Sequence, residues 1–327
     1  MSIERNARIY VAGHTGLAGS ALVRCLRANG FGKLVLRTHA ELELTDPAAV
    51  RRFFEAERPE HVVVAAAKVG GILANETYPA EFIHQNLAIS TNVIHEAWRN
   101  GAKRLLYLGS SCIYPRDCPQ PMKEEHLLTG PLEITNRPYA VAKIAGIEMC
   151  WSYNRQYGTK FLAAMPTNLF GPGDQYDLRT SHVMPALIRK AHEAKSRGEP
   201  ELTVWGTGRP RREFMYSDDL ADACVFLLTL PEERYGELVR PNAAPLINIG
   251  TGEDLTIAEL AGLVCEIVGF RGKLVHDTAK PDGMPRKLLD GSKLYALGWR
   301  SRVGLREGIA RAYEDFKRNH AVAATAH

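Results

Sequence analysis

Gly13-His14-Thr15-Gly16-Leu17-Ala18-Gly19 follows a short apolar run, Arg8–Ala12, and opens a helical pattern. Glycines at that spacing, between a strand and a helix, constrain this chain more than any other feature. They permit a tight turn and let backbone N–H groups at the positive end of the helix meet a pyrophosphate. The chain continues in the same style. Further strands are predicted at Leu34–Leu36, His61–Ala66, Arg104–Gly109 and Phe161–Met165, with helices at about Gly16–Asn29, Pro47–Glu57, Glu81–Asn100 and Tyr139–Tyr157. Gly30 and Gly101 read as helix stops, and Asp46-Pro47 as an N-cap followed by proline at the first helical position. Such alternation predicts an α/β fold, a Rossmann-type doubly wound parallel sheet with helices on both faces.

The alternation fades after Gly171-Pro172-Gly173, where Pro, Arg and charged loop residues take over. We therefore expect a dinucleotide-binding domain over 1–173 and a smaller α/β C-terminal substrate-binding lobe over 174–327. The two interleave, because a strand at Leu246–Ile249 and a helix at Thr256–Val268 are expected to return to the first domain. Ala321–His327 reads as a frayed tail.

With 41 Lys+Arg against 37 Asp+Glu in 327 residues, the net charge is only +4. The charges are interspersed rather than blocked, so a nucleic-acid partner is not expected and a phosphorylated small molecule is. No stretch approaches the ~18 apolar residues of a membrane span, and the N-terminus lacks an apolar signal region. The expected compartment is the cytoplasm. Cys25, Cys112, Cys118, Cys150, Cys224 and Cys265 show no zinc-ribbon or CxxC spacing, so neither disulfides nor a metal site is expected.

The GxxGxxG spacing is the variant of the extended short-chain dehydrogenases. An NAD-selective site would place an acidic residue at the end of the second strand, about 20 residues on, against the ribose 2′-OH. This chain has Arg37-Thr38-His39 there. A cation pairs with a 2′-phosphate, which points to NADP(H), with Arg37 as first partner and His39 as second. Gly13, Thr15, Gly16, Leu17 and Gly19 form the loop that would hold the pyrophosphate. Asp46 lies near the adenine or simply caps its own helix.

Tyr139 and Lys143 stand four residues apart, on one helix face. A nearby ammonium favours the tyrosinate, so Lys143 is expected to lower the pKa of Tyr139, which would give its proton to an oxygen as hydride arrives. The ammonium also suits the nicotinamide ribose. By strand alternation Ser110 and Cys112 are expected to share a face at the C-terminal edge of the sheet, where α/β sites open. A serine there suits hydrogen bonding to a carbonyl; reduction does not require a cysteine beside it.

Four strings resemble the GDP-L-fucose synthase family of extended short-chain dehydrogenases: Ala66–Ile72, Leu108-Gly-Ser-Ser-Cys-Ile-Tyr-Pro115, Pro166–Pro172 and Ser181-His182-Val-Met-Pro-Ala-Leu187. The similarity extends through Arg212–Tyr216 to Lys280–Gly283 and Pro285–Asp290. It implies an NADPH-dependent enzyme that epimerises GDP-4-keto-6-deoxy-D-mannose at C3 and C5 and then reduces C4. Cys112 would be the base and His182 the acid, with Ser110, Tyr139 and Lys143 serving the reduction. The thiolate would be favoured by the cationic cofactor site or by a protonated His182. Pro166, Asn168, Leu169, His182 and the backbone of Ala66 and Ala67 would line the cofactor. Trp205, Arg212, Lys287 and Lys190, with Arg189 beside it, would meet the GDP-sugar. The resemblance also implies a homodimer built on the Glu81–Asn100 and Tyr139–Tyr157 helices, and functional coupling to GDP-mannose 4,6-dehydratase. Many members carry arginine inside the glycine loop and at the position of His39, whereas this chain has Thr15 and His39. The alternative is another nucleotide-sugar 4-epimerase or 4-reductase of the same family.

Overall fold

The computed structural model describes residues 3–178, 180–280 and 282–319; the Ala-rich end expected to fray lies outside them. The first half runs β1 (Ile9–Ala12), α1 (Leu17–Ala28), β2 (Leu34–Val35), α2 (Pro47–Glu57), β3 (His61–Val64), α3 (Ile72–Thr77), α4 (Pro79–Arg99), β4 (Arg104–Leu108), α5 (Arg137–Tyr157) and β5 (Phe161–Pro166). The second runs β6 (Asn168–Phe170), α6 (Val183–Arg197), β7 (Glu201–Trp205), β8 (Arg211–Tyr216), α7 (Ser217–Thr229), α8 (Glu232–Leu238), β9 (Leu246–Ile249), β10 (Asp254–Thr256) and α9 (Ile257–Val268). It closes with β11 (Lys273–Asp277), β12 (Arg286–Lys287), α10 (Ser292–Ala296) and α11 (Leu305–Asn319).

A six-stranded parallel sheet in the order β2-β1-β3-β4-β5-β9 forms the main body. Its central strands are buried along their whole length and apolar but for His61 and Arg104 at their starts, because both faces are covered. Successive residues divide between two cores. Ile9 and Val11 face α1 and α7, whereas Tyr10 and Ala12 face the side of Phe53, Phe54, Val93 and Ile147. Asp46 caps α2 as expected, accepting from Ala48 N at 2.8 Å and Ala49 N at 3.1 Å, a contribution of about 1 kcal/mol.

The second lobe has its own apolar cluster between α6, α9 and α11, over β7 and β8. Strand β9 does return to the large sheet, beside β5. The helix that follows it does not. Leu260, Ala261, Val264 and Val268 of α9 are buried against α6 and α11 in the second lobe. The helix that crosses back is α7, whose Leu220, Ala221, Cys224 and Leu228 pack on α1 and the sheet. Helical periodicity gives each helix one apolar face but does not say which core receives it. Among the described residues, no helix is long and apolar enough to cross a membrane.

Candidate active site

The large sheet reverses its winding between β1 and β3, the switch point where ligands bind at the carboxyl ends of strands. Gly13 leaves β1 there with φ +80°, and a Cβ on it would lie 2.7 Å from the Cα of Ala66, just past β3. A Cβ on Gly19 would lie 2.0 Å from the carbonyl oxygen of Gly13. These two glycines close the turn. Gly16 does something else. It is the N-cap of α1, supplies no side-chain cap, and a Cβ there would meet only Gly13 O at 3.5 Å. The first-turn N–H groups of α1 therefore stay available to an anion, with Thr15 exposed beside them and Leu17 opening the helix. The buried Nδ1 of His14, which lacks a hydrogen-bond partner, adds a polar atom to the same loop. This cradle fits a dinucleotide pyrophosphate.

Gly19→Ala is expected to cost about 1–3 kcal/mol through overpacking and to weaken dinucleotide binding. Gly16→Ala should keep the melting temperature and lose only affinity. Thermal melts and quenching of NADPH fluorescence read the two effects; equal stability losses would contradict the division of roles.

At the end of β2 the cations are already paired. Arg37 binds Glu57 and donates to Leu36 O at 2.8 Å, and His39 Nε2 lies 2.7 Å from Glu43 at an exposed position. The Arg37 pair is partly exposed, and such pairs contribute about 0–1 kcal/mol. A phosphate dianion therefore competes readily for that guanidinium.

Strand alternation does not set Ser110 and Cys112. Strand β4 ends at Leu108, and Ser111–Ile113 forms a single 3₁₀ turn capped by Ser110, whose Oγ accepts from Cys112 N at 3.5 Å. Gly109 N still donates to Ala164 O at 2.9 Å, and the missing side chain at 109 leaves room for the end of Met165, which a Cβ there would meet at 1.8 Å. The two side chains still meet, through the turn. Lys143 lies one turn of α5 beyond Tyr139, buried, and donates to Leu108 O at 2.8 Å with its ammonium 4.8 Å from the Tyr107 ring centroid. Gly146 makes room for that ring. Tyr139 packs edge-to-face on Phe82.

The expected activation of Tyr139 is not found. Burial lifts the phenol well above its ordinary pKa, with Cys112 and Tyr107 adding to the effect, while burial pushes Lys143 down to about 8. Desolvation outweighs the cation 5.8 Å from the ring. Tyr139 is thus a protonated donor at neutral pH, which is the form an acid needs.

His182 is the N-cap of α6 and does not spend its side chain on capping. Gly71 holds its loop: Gly71 N donates to Thr180 O at 3.1 Å, and a Cβ there would lie 3.0 Å from Ser181 O. Burial and Lys287 both push the imidazole down, so it is neutral near pH 7. Burial pushes the Cys112 thiol up, opposed first by Lys287, then by Ser110 and Lys143. The cation that favours the thiolate is therefore first Lys287, and not the protonated His182 that the sequence suggests as one of two sources.

Lys287 reaches the cleft because β12 pairs in parallel with β8, setting Lys287 opposite Arg212. Arg212 donates to Met284 O at 2.6 Å and Arg211 O at 2.8 Å. Burial, and after it the like charge of Arg212, push the Lys287 ammonium down, an arrangement suited to an anionic group between the two cations. Tyr139, His182, Arg212 and Lys287 keep accessible surface although protein surrounds them on most sides, the condition of residues lining a deep cleft.

Trp205 ends β7, 52% exposed, with Lys190 Nζ 4.9 Å and Lys280 Nζ 5.4 Å from its ring centroid. Arg189 is committed elsewhere, to Glu193 and Tyr176 O. Pro166 ends β5, and Asn168 and Leu169 begin β6, where Asn168 Nδ2 donates to Glu213 O at 2.7 Å. Ala67 follows Ala66 past β3, both half-buried.

Glu213 was not singled out from the sequence. Its fully buried carboxylate accepts from Thr251 N, Gly252 N and Leu289 N, tying β8 to the loop after β9 and to the Lys287 segment. Burial raises its pKa against those donors. A glutamate between Arg212 and Phe214, inside a strand, was the available signal.

A glycine cradle at the switch point and a Ser-Tyr-Lys set at the adjoining strand ends define a dinucleotide-dependent oxidoreductase. A model of the NAD dependent epimerase/dehydratase family matches residues 9–241. The chain is 56% identical over 316 residues to GDP-L-fucose synthase 1 of Arabidopsis thaliana, covering 97% of this chain and 95% of that protein. It superposes on a GDP-6-OMe-4-keto-L-xylo-heptose reductase from C. jejuni with a TM-score of 0.92, at 39% identity over 98% of this chain and 100% of that one. A GDP-L-fucose synthetase from Naegleria fowleri bound to NADP gives a TM-score of 0.87 at 26% identity, over 98% and 97% of the two chains. The chain belongs to the NAD dependent epimerase/dehydratase family and stands among its GDP-L-fucose synthases.

Proposed function

We propose that this protein converts GDP-4-keto-6-deoxy-D-mannose to GDP-L-fucose, by inversion at C3 and C5 followed by reduction at C4 with NADP(H). The observation that carries this reading is the presence of Cys112 and His182 in the cleft that holds Ser110, Tyr139 and Lys143. Reduction alone uses the last three. The first two supply a base and an acid.

The C4 ketone of the substrate acidifies the hydrogens on C3 and C5. Cys112 removes each proton from one face, and His182 returns one to the other. Both groups rest neutral in the cleft, so one proton passes from thiol to imidazole before they act. Lys287 favours the thiolate half of that exchange and opposes the imidazolium half. Ser110 holds the C4 oxygen throughout. A bound nicotinamide dinucleotide supplies the hydride. Tyr139 protonates the C4 oxygen as it becomes an alkoxide, and Lys143 orients the ribose beside it. Arg212 and Lys287 bind the anionic part of the GDP-sugar, and Trp205 and Lys190 meet its nucleotide end.

Incubation with GDP-4-keto-6-deoxymannose and NADPH in D₂O tests the proposal. Deuterium at both C3 and C5, with oxidation of the cofactor, supports it. Oxidation without deuterium would make the protein a simple 4-reductase and return Cys112 and His182 to structural roles.

Arg37 and His39 serve the 2′-phosphate, with Thr15 leaving room beside the loop. Thr15→Arg is expected to raise the preference for NADPH over NADH about tenfold, or about 1.4 kcal/mol, through a charge-assisted bond. The ratio of kcat/KM for the two cofactors measures it, and an unchanged ratio would remove the 2′-phosphate from this end of the loop. We place the enzyme in the cytoplasm, functionally coupled to GDP-mannose 4,6-dehydratase, whose product carries the required ketone. A homodimer through α4 and α5 is supported by their close side-by-side packing on one face of the sheet and by exposed Val141 and Tyr157.

A further inference from the structure

Leu246-Ile247-Asn248-Ile249 sets one amide in an otherwise apolar strand, and that amide is fully buried. Burying an amide is costly unless each of its groups is bonded. All of them are. Asn248 N donates to Glu124 Oε1 at 3.0 Å, and Nδ2 donates to Met122 O at 2.9 Å and Asp290 O at 3.2 Å. Its Oδ1 accepts from the buried Tyr114 hydroxyl at 2.5 Å.

These partners come from separate walls of the cleft. Tyr114 ends the turn that carries Cys112. Met122 and Glu124 lie on the strap leaving that turn, and Asp290 closes the segment that carries Lys287. Strap and segment are also laced directly, Met122 N to Leu288 O at 2.7 Å, Asp290 N to Met122 O at 2.8 Å and Leu288 N to Gln120 Oε1 at 3.0 Å. Glu124 is buried and pairs with Lys293 of α10 at 3.3 Å.

We propose that Asn248, acting through Tyr114 and Asp290, is a positioning residue that fixes the Cys112 turn against the Lys287 segment and so sets the spacing of thiol and ammonium. The proposal rests on the base role given to Cys112 above. Coulombic attraction falls with separation, so slack between the two walls weakens the pairing. Of the other groups facing the thiol, Lys143 and Tyr139 are held by α5 and do not depend on this network, whereas Ser110 caps the turn itself and moves with Cys112. Loosening Asn248 therefore affects proton removal first and spares Tyr139 and Lys143, which serve the proton and cofactor side of hydride transfer.

The test uses full-length Tyr114→Phe and, separately, Asn248→Ser. Carbamidomethylation of Cys112 by iodoacetamide is followed against pH by peptide mass spectrometry, because only the thiolate reacts. Deuterium incorporation at C3 and C5 is measured relative to NADPH oxidation. Loss of a nearby cation raises a thiol pKa, so both variants should move the alkylation midpoint up by about half a unit or more. The deuterium-to-oxidation ratio should fall about tenfold, the share of a general-base effect that misplacement removes. An unmoved midpoint and an unchanged ratio in Tyr114→Phe, with only the melting temperature lowered, would overturn the proposal. If Asn248→Ser does not fold, Tyr114→Phe decides. A shifted midpoint without any deuterium incorporation in the unaltered enzyme would sustain the positioning role while defeating the assigned reaction.

Discussion

Replacing Cys112 with Ser should lower deuterium exchange at C3 and C5 by about 10²–10⁴-fold, the usual contribution of a general base, while NADPH binding is retained. The sulfur lies in a buried turn and is nearly isosteric with an oxygen, so the substitution leaves packing close to intact. What changes is acidity. An alcohol ionises far above the range in which Lys287, Ser110 and Lys143 can offset burial. Protons would stay on C3 and C5, and any sugar reduced by the variant would keep the original configuration at both centres. Product NMR gives the answer directly. Normal inversion in the variant would exclude Cys112 as the base.

Tyr139→Phe should do the reverse. NADPH oxidation is expected to fall about 10²–10⁴-fold, with exchange at C3 and C5 falling much less. The phenyl ring keeps its contact with Phe82, so the loss reports the hydroxyl alone. Because burial keeps Tyr139 protonated, no rise in rate should accompany a higher pH on account of tyrosinate formation. Stopped-flow measurement of cofactor absorbance beside deuterium uptake separates the two steps. If both fell equally, Tyr139 would have to act before the inversions.

The glycine loop was legible because the geometry it demands is local: Gly13 and Gly19 are required by atoms within the loop or at the adjoining strand end. The buried strands are legible for a related reason, apolar runs broken only by single polar residues such as His61, Arg104 and Asn248. A local pattern with two tertiary outcomes is less legible. Period-two alternation past Leu108 is compatible with strand, but the chain turns at Ser110, whose side chain caps a 3₁₀ turn that brings Ser110 and Cys112 together instead. Helix α9 and helix α7 both show an apolar face, and only the packed structure assigns one to each lobe. Electrostatics was the least legible. That Lys143 stands four residues from Tyr139 is plain in the sequence, yet burial reverses the expected shift. Lys287 lies 175 positions from Cys112 in the chain, and no spacing rule connects them. Asn248 and Glu213 left a fainter mark, single polar residues inside strands that are otherwise buried.

Strand β9 completes the large sheet only after roughly eighty residues of intervening chain, most of which build the other lobe. During synthesis β5 is consequently an open apolar edge until the last quarter of the protein emerges. Such edges invite pairing with the wrong strand, and closing them requires contacts that are distant in sequence and slow to form. The same connection, with α7 crossing back to α1, leaves no point at which the chain can be cut into two self-sufficient halves. Nascent copies therefore depend on the C-terminal portion to cover the edge of the sheet that carries the nucleotide loop, and neither lobe can bury all its own apolar surface until the other is present.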